Sequence, residues 1–152
     1  MIELHENGLD IQFRIRENGV VELADFSSQE VKKAVMEPKE DICYPAVEIH
    51  RSGTGSLNMH AYKNNINQSS VDFVYENHEL KAQDGGKELE IVMVSPEKLK
   101  AVYHMRLFDG VPAVQTWTEI INEGSEDQGL TYVSSFMYQG ISRGGKKPYY
   151  KK

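Results

Sequence analysis

The chain of 152 residues contains a single cysteine, Cys43, which excludes an internal disulfide and any metal site built from several cysteines. No base stands beside Cys43, so it is interpreted as a small buried hydrophobic residue. Long apolar runs are missing too, since no stretch approaches the roughly 20 residues of a membrane-spanning helix. The first residues also lack the basic start and apolar run of a secretory signal. These absences predict a cytoplasmic protein with no membrane partner.

Positive charge is scarce, because 17 lysines and arginines accompany 23 acidic residues and leave a net charge of −6. Nucleic-acid surfaces need clustered lysine and arginine, so this balance argues against a nucleic-acid partner. The one basic cluster runs from Lys146 to Lys152 and is interpreted as a solvated tail or linker.

The sequence does contain runs in which apolar and polar residues alternate with a period of two, which is typical of strands with one buried face. One face of the run from Leu99 to Phe108 is predicted to be buried, and it consists of Leu99, Ala101, Tyr103, Met105 and Leu107. The other face is predicted to be wetter and carries Lys100, His104 and Arg106. Ile11, Phe13 and Ile15 repeat the pattern, and Asn18-Gly19 after them is predicted to form a type I′ hairpin turn.

Turn signals recur roughly every ten residues, among them Asp84-Gly85-Gly86 and Asp109-Gly110. About eight strands at this spacing predict an all-β fold, an antiparallel β-sandwich, rather than alternating strands and helices. We expect the sandwich to span residues 1–141 and residues 142–152 to form an exit linker or tail.

Residues that could perform chemistry are dispersed along the chain. None of the five histidines has another ligand histidine at the i, i+2 spacing of a strand, so neither a metal nor a cofactor is predicted. Acidic residues are plentiful, but nothing in the sequence brings two of them together as the catalytic pair of a glycosidase. The sequence therefore predicts no catalytic residue within this chain.

The only tryptophan, Trp117, lies in the strand predicted over residues 113–122 and has two interpretations. A tryptophan on a strand is most often part of the core. The alternative is an exposed platform on which a sugar ring stacks, which makes Trp117 a candidate substrate-binding residue.

Four segments carry a family resemblance through their order along the chain. They are the hairpin at 9–26, the Asp-Ile-Cys-Tyr-Pro-Ala-Val-Glu-Ile run at 41–49, the Phe-Val-Tyr-Glu-Asn-His-Glu-Leu run at 73–80 and the strand pair at 103–124, which ends in Ile-Ile-Asn-Glu-Gly. Together they resemble the N-terminal β-supersandwich domain of the family 36 glycoside hydrolases, the bacterial α-galactosidase or melibiase group.

This resemblance implies a galactose-mutarotase-like supersandwich, with both catalytic aspartates on a TIM barrel downstream in the same polypeptide. Such a barrel does not fit within 152 residues. In the family, the loop that corresponds to 41–49 can lie near the active site of a neighbouring subunit. Asp41 matches the acid of that motif, so Asp41 and Tyr44 join Trp117 as candidate substrate-binding residues.

The resulting hypothesis is an accessory domain of an α-galactosidase-like retaining glycosidase, inactive by itself and supporting the catalytic barrel. Its expected partners are that barrel, further copies of the chain in a homo-oligomer, and a galactoside. Two alternatives stay open, which are a stand-alone carbohydrate-binding sandwich and a structural or interaction sandwich with no role in sugar chemistry.

Overall fold

The computed structural model describes residues 1–28, 44–55 and 68–138, in which nearly all regular structure is β. The strands are β1 (Ile2–Glu6), β2 (Leu9–Ile15), β3 (Val21–Ser28), β4 (Ile49–Arg51), β5 (Val74–Gln83), β6 (Gly86–Val94), β7 (Leu99–Phe108), β8 (Val111–Asn122) and β9 (Leu130–Val133). The one helix in these ranges, α1 (Gln68–Val71), makes a single turn. No helix in the described part of the chain has the length and hydropathy to span a membrane.

The strands form three antiparallel sheets. One has the order β1-β2-β3, one has the order β5-β6-β7-β8, and β4 pairs with β9 in a third. The prediction of an all-β antiparallel sandwich is therefore confirmed. The predicted domain boundary at residue 141 and the tail at 142–152 lie outside the described residues, as do Asp41 and Cys43.

The core lies between the three-stranded and the four-stranded sheets, because each turns its apolar alternate positions toward the other. Its largest fully buried side chains are Tyr103, Phe13, Phe73, Ile11, Ile49, Leu89, Ile91, Leu99, Met105 and Leu107. The rings of Phe13 on β2 and Tyr103 on β7 meet edge to face, with 5.7 Å between their centroids. The buried face predicted for the run from Leu99 to Leu107 is confirmed.

The hairpin predicted around Asn18-Gly19 forms, but the predicted type I′ turn is wrong. Only Gly19 has a positive φ, of 85°, and its N–H donates to the carbonyl of Arg16. The Asn18 side chain accepts from the N–H of Val20, so this is a three-residue loop closed by a left-handed glycine. Asn7-Gly8 instead forms the two-residue turn in which both φ values are positive.

Several strands differ from their predicted extents, most clearly β1, β4 and β9. β1 has no counterpart in the predictions, although it pairs with β2 along its whole length. The sequence also predicts strands over Pro45–His50 and Leu130–Tyr138, which are shorter in the structure as β4 and β9, since beyond these the two segments exchange only isolated bonds. One such bond joins the N–H of Ser134 to the carbonyl of Glu48.

Candidate functional site

A group of ionisable side chains lies on the outer face of the four-stranded sheet, which points away from the core. On β6, Leu89 and Ile91 are buried in the core, so the alternation of the strand turns Glu88 and Glu90 to the outer face. The register places Glu90 opposite His104 of β7, which in turn lies opposite Trp117 of β8. With Glu119, these residues form what we call the His104 cluster: Glu88, Glu90, His104, Trp117 and Glu119.

Carboxylates flank both ring nitrogens of His104. Nδ1 lies 2.9 Å from Oε1 of Glu88 and 3.9 Å from Oε1 of Glu90. Nε2 lies 3.5 Å from Oε2 of Glu119, and it is buried without a hydrogen-bond partner. His104 is only 7% exposed, so the prediction of a wetter face is wrong at this position. The ring is inaccessible because its neighbours on the adjacent strands enclose it.

Trp117 contributes to that enclosure through a parallel stack. The centroids of the indole and of the His104 imidazole are 4.6 Å apart, and the angle between the two ring planes is 5°. Because β8 is an edge strand, the stack holds the imidazole plane from the edge side of the sheet. Trp117 is half-buried on the outer face, so the interpretation as a core residue is wrong. The sugar-platform interpretation stays a prediction.

Two cations border the cluster. Nζ of Lys81 on β5 lies 2.5 Å from Oε2 of Glu90 and 3.7 Å from Glu79, and the hydrogen bond to Glu90 raises the pKa of Lys81. Arg106 of β7 lies opposite Glu88 of β6. It donates a hydrogen bond to the carbonyl of Asp84, and its guanidinium lies over the Phe108 ring. The carboxylates of the outer face thus outnumber the cations, which leaves negative charge concentrated around His104.

The structure does not bring the predicted substrate-binding residues together. Asp41 lies outside the described residues. Tyr44 is 37% exposed, and its N–H donates to Oε1 of Glu22 on β3, next to the three-stranded sheet. Trp117 belongs to the outer face of the four-stranded sheet, on the other side of that sheet from the core. Tyr44 and Trp117 therefore face different parts of the surface.

Sequence reasoning missed Glu88, Glu90 and His104 as a group, because it examined spacings between histidines. The signal was present in Glu88-Leu89-Glu90, where two carboxylates at i, i+2 must share one face of a strand. A second signal was a histidine among the non-core positions of the strand that follows. What no spacing supplies is the register that sets Glu90 against His104.

A second charged group surrounds Arg51 at the end of β4. Its guanidinium lies 2.7 Å from Glu97 and 3.1 Å from Asp72, and the residue is only 7% exposed. The hydroxyls of Ser70 and Ser69 on α1 accept hydrogen bonds from backbone N–H groups of β4. These bonds anchor the helix beside the Arg51 group. These contacts join α1, β4 and the turn after β6, so we assign this group a structural role.

Acid is expected to weaken the Arg51 group. Burial acts to raise the pKa of Glu97, but hydrogen bonds from its own backbone N–H and from Arg51 outweigh it and hold that pKa below its ordinary value of 4.5. Ionised Glu97 therefore stabilises the fold at pH values above 4.5, and this contribution is lost as the pH falls through the lowered pKa of Glu97. The difference in urea midpoint between wild type and Glu97→Gln should be largest near neutral pH and shrink in acid.

The matched control for this prediction is Glu126→Gln, on the loop after β8. Its side chain is expected to leave the urea midpoint unchanged at each pH, because exposed carboxylates contribute little. A difference for Glu97→Gln that stays constant from pH 7 to pH 3 would contradict the assignment.

Fold and site together define an antiparallel β-sandwich with a buried histidine among carboxylates on an outer sheet face. Comparison of the chain with models of known protein families and with curated proteins gives no match.

Proposed function

We propose that the chain is the accessory β-sandwich of an α-galactosidase-like retaining glycoside hydrolase, which packs against a catalytic barrel outside this chain. The observation that supports this most directly is where the four resembling segments fall. Segment 9–26 coincides with the hairpin of β2 and β3, and 103–124 spans most of β7 and all of β8. Segment 73–80 covers most of β5, and the described part of 41–49 leads into β4.

An accessory domain also needs surface on which its partner can pack. Large apolar side chains are exposed on the edge strands of the four-stranded sheet and on the chain from β9 onward. They are Val74, Leu80, Val111, Ile121, Leu130, Tyr132 and Phe136. Val74 and Leu80 belong to one edge of that sheet and Val111 and Ile121 to the other, where an added element would pair with the open strand edge and cover them. Packing against a barrel, and pairing between copies of the chain, would both use such a surface.

A stand-alone carbohydrate-binding sandwich is the second candidate, and the position of Trp117 favours it. Sugar sites combine an aromatic face with polar groups, and Trp117 lies among Glu88, Glu119 and His104 on an outer face. One face of the indole is taken by His104, so a sugar would have to stack on the other.

The reading frame that encodes the chain is the direct test. Under the proposal, it continues into a (β/α)₈ repeat with two catalytic aspartates, and the isolated chain hydrolyses no aryl α-galactoside above the blank. Retaining glycosidases need two carboxyl groups about 5 to 5.5 Å apart across the scissile bond. A frame that continues into no barrel, or hydrolysis that an acid-to-amide substitution in this chain abolishes, would contradict the proposal.

The two candidates separate in a sugar titration. Trp117 is the only tryptophan, so intrinsic tryptophan fluorescence reports solely on the His104 cluster. We expect galactose and raffinose to leave the emission unchanged, because an accessory domain has no sugar site there. A saturable shift, weakened in Glu119→Gln, would instead support the carbohydrate-binding sandwich.

A further inference from the structure

The His104 cluster has the composition and geometry of a metal site, independently of the proposed function. One ligand atom from each of Glu88, Glu90 and His104 lies within 4.8 Å of the other two. We propose that these residues bind a divalent first-row transition metal ion through Nδ1 of His104 and one oxygen of each carboxylate. Water would complete the coordination.

The distances suit such an ion. Zinc bonds to histidine nitrogen and carboxylate oxygen at about 2.0 to 2.2 Å, so neighbouring ligands in a tetrahedral site lie about 3.4 Å apart. From Nδ1, the Oε1 atoms of Glu88 and Glu90 are at 2.9 Å and 3.9 Å, on either side of that value. Each of these distances differs from the tetrahedral value by about 0.5 Å, so metal binding would require shifts of the ligand side chains of that order.

The unsatisfied nitrogen of His104 points to the same conclusion. A neutral imidazole has one N–H, and when Nδ1 donates it to Glu88, the lone pair of the buried Nε2 faces the Glu119 carboxylate. A metal on Nδ1 moves the proton to Nε2, which then donates to Glu119. Metal-bound histidines usually pair their second nitrogen with a carboxylate in this manner, and that pairing orients the ring.

The side chains around the three ligands also fit a metal site. Lys81 binds Oε2 of Glu90 and leaves Oε1 directed at His104, so the lysine orients this carboxylate without occupying the site. The Trp117 stack fixes the imidazole plane. One imidazole with two carboxylates favours zinc, iron, cobalt or manganese over calcium or magnesium, which prefer oxygen ligands alone.

The rival explanation is a protonated His104 that bridges Glu88 and Glu119 with no ion. Titration calorimetry of the chelator-treated full chain with Zn²⁺, and absorption with Co²⁺, separate the two. We expect one equivalent to bind to the cluster. Glu90→Gln and His104→Gln should weaken that binding at least 100-fold, whereas Glu119→Gln, outside the coordination sphere, should weaken it by about 10-fold.

The matched control is His5→Gln. His5 also lies near two carboxylates, Asp10 and Glu3, but its side chain is 54% exposed. We expect its replacement to leave the affinity of the cluster unchanged. If His104→Gln fails to fold, Glu90→Gln decides, because Glu90 is outside the core. The absence of saturable binding in wild type, or affinity unchanged in Glu90→Gln, would overturn the proposal in favour of the protonated histidine.

Discussion

Replacement of Gly86 with alanine is expected to destabilise the four-stranded sheet by about 3 kcal/mol, the upper end of the usual cost of overpacking. A Cβ at Gly86 would lie 1.9 Å from the carbonyl oxygen of Leu107, on the neighbouring strand β7. A backbone oxygen cannot rotate away as a side chain can, so β6 and β7 must separate where Gly86 pairs with Phe108. Urea unfolding followed by circular dichroism measures the loss.

The adjacent glycine provides the control. Gly85 has a φ of 73°, but a Cβ there meets nothing within 4 Å. Gly85→Ala therefore incurs only the backbone strain of the left-handed region, about 1 to 2 kcal/mol. Equal losses for the two substitutions would show that conformational strain, rather than the close approach of β7, determines the effect at Gly86.

Features of the fold that depend on neighbouring residues could be read from the sequence. The alternation of Ile11 and Phe13 and the turn at Asp109-Gly110 specify strands and hairpins locally. The turn type was less accessible, because Asn7-Gly8 and Asn18-Gly19 are the same dipeptide in different turns. What distinguishes them is the register of the flanking strands, which the dipeptide does not encode.

Pairings between distant segments could not be predicted from local pattern. β4 and β9 form a sheet although about 80 residues separate His50 from its partner Tyr132. Their short runs carry little alternation, and their pairing depends on where the larger sheets place both ends. The bounds of these two strands were accordingly overestimated.

The candidate site could likewise be predicted from the sequence only in its local part. That Glu88 and Glu90 share a face follows from a strand period of two. That they face His104, and that Trp117 stacks on it, follows from the register across β6, β7 and β8. Residue types that look dispersed along the chain become a cluster only after the hairpins fix that register.

Phe13→Ala is expected to cost about 3 to 5 kcal/mol, a large share of the 5 to 15 kcal/mol that is typical of a natural domain. The Phe13 side chain is fully buried, and its ring meets Tyr103 across the two larger sheets. Alanine leaves a cavity between sheets that share one core, and the total includes about 0.5 to 1.5 kcal/mol for the lost edge-to-face pair. The unfolding free energy from urea titration measures the effect.

Phe136→Ala removes the same side chain from the surface and is the matched control. Phe136 is 42% exposed and keeps one edge-to-face contact, with Phe26 at 5.5 Å. We expect a loss of about 1 kcal/mol, since little apolar area leaves the interior. If both substitutions cost the same, the interface that contains Phe13 and Tyr103 does not dominate the stability. A large loss confined to Phe13→Ala would instead show that the contacts between the two larger sheets contribute most of the stability of the sandwich.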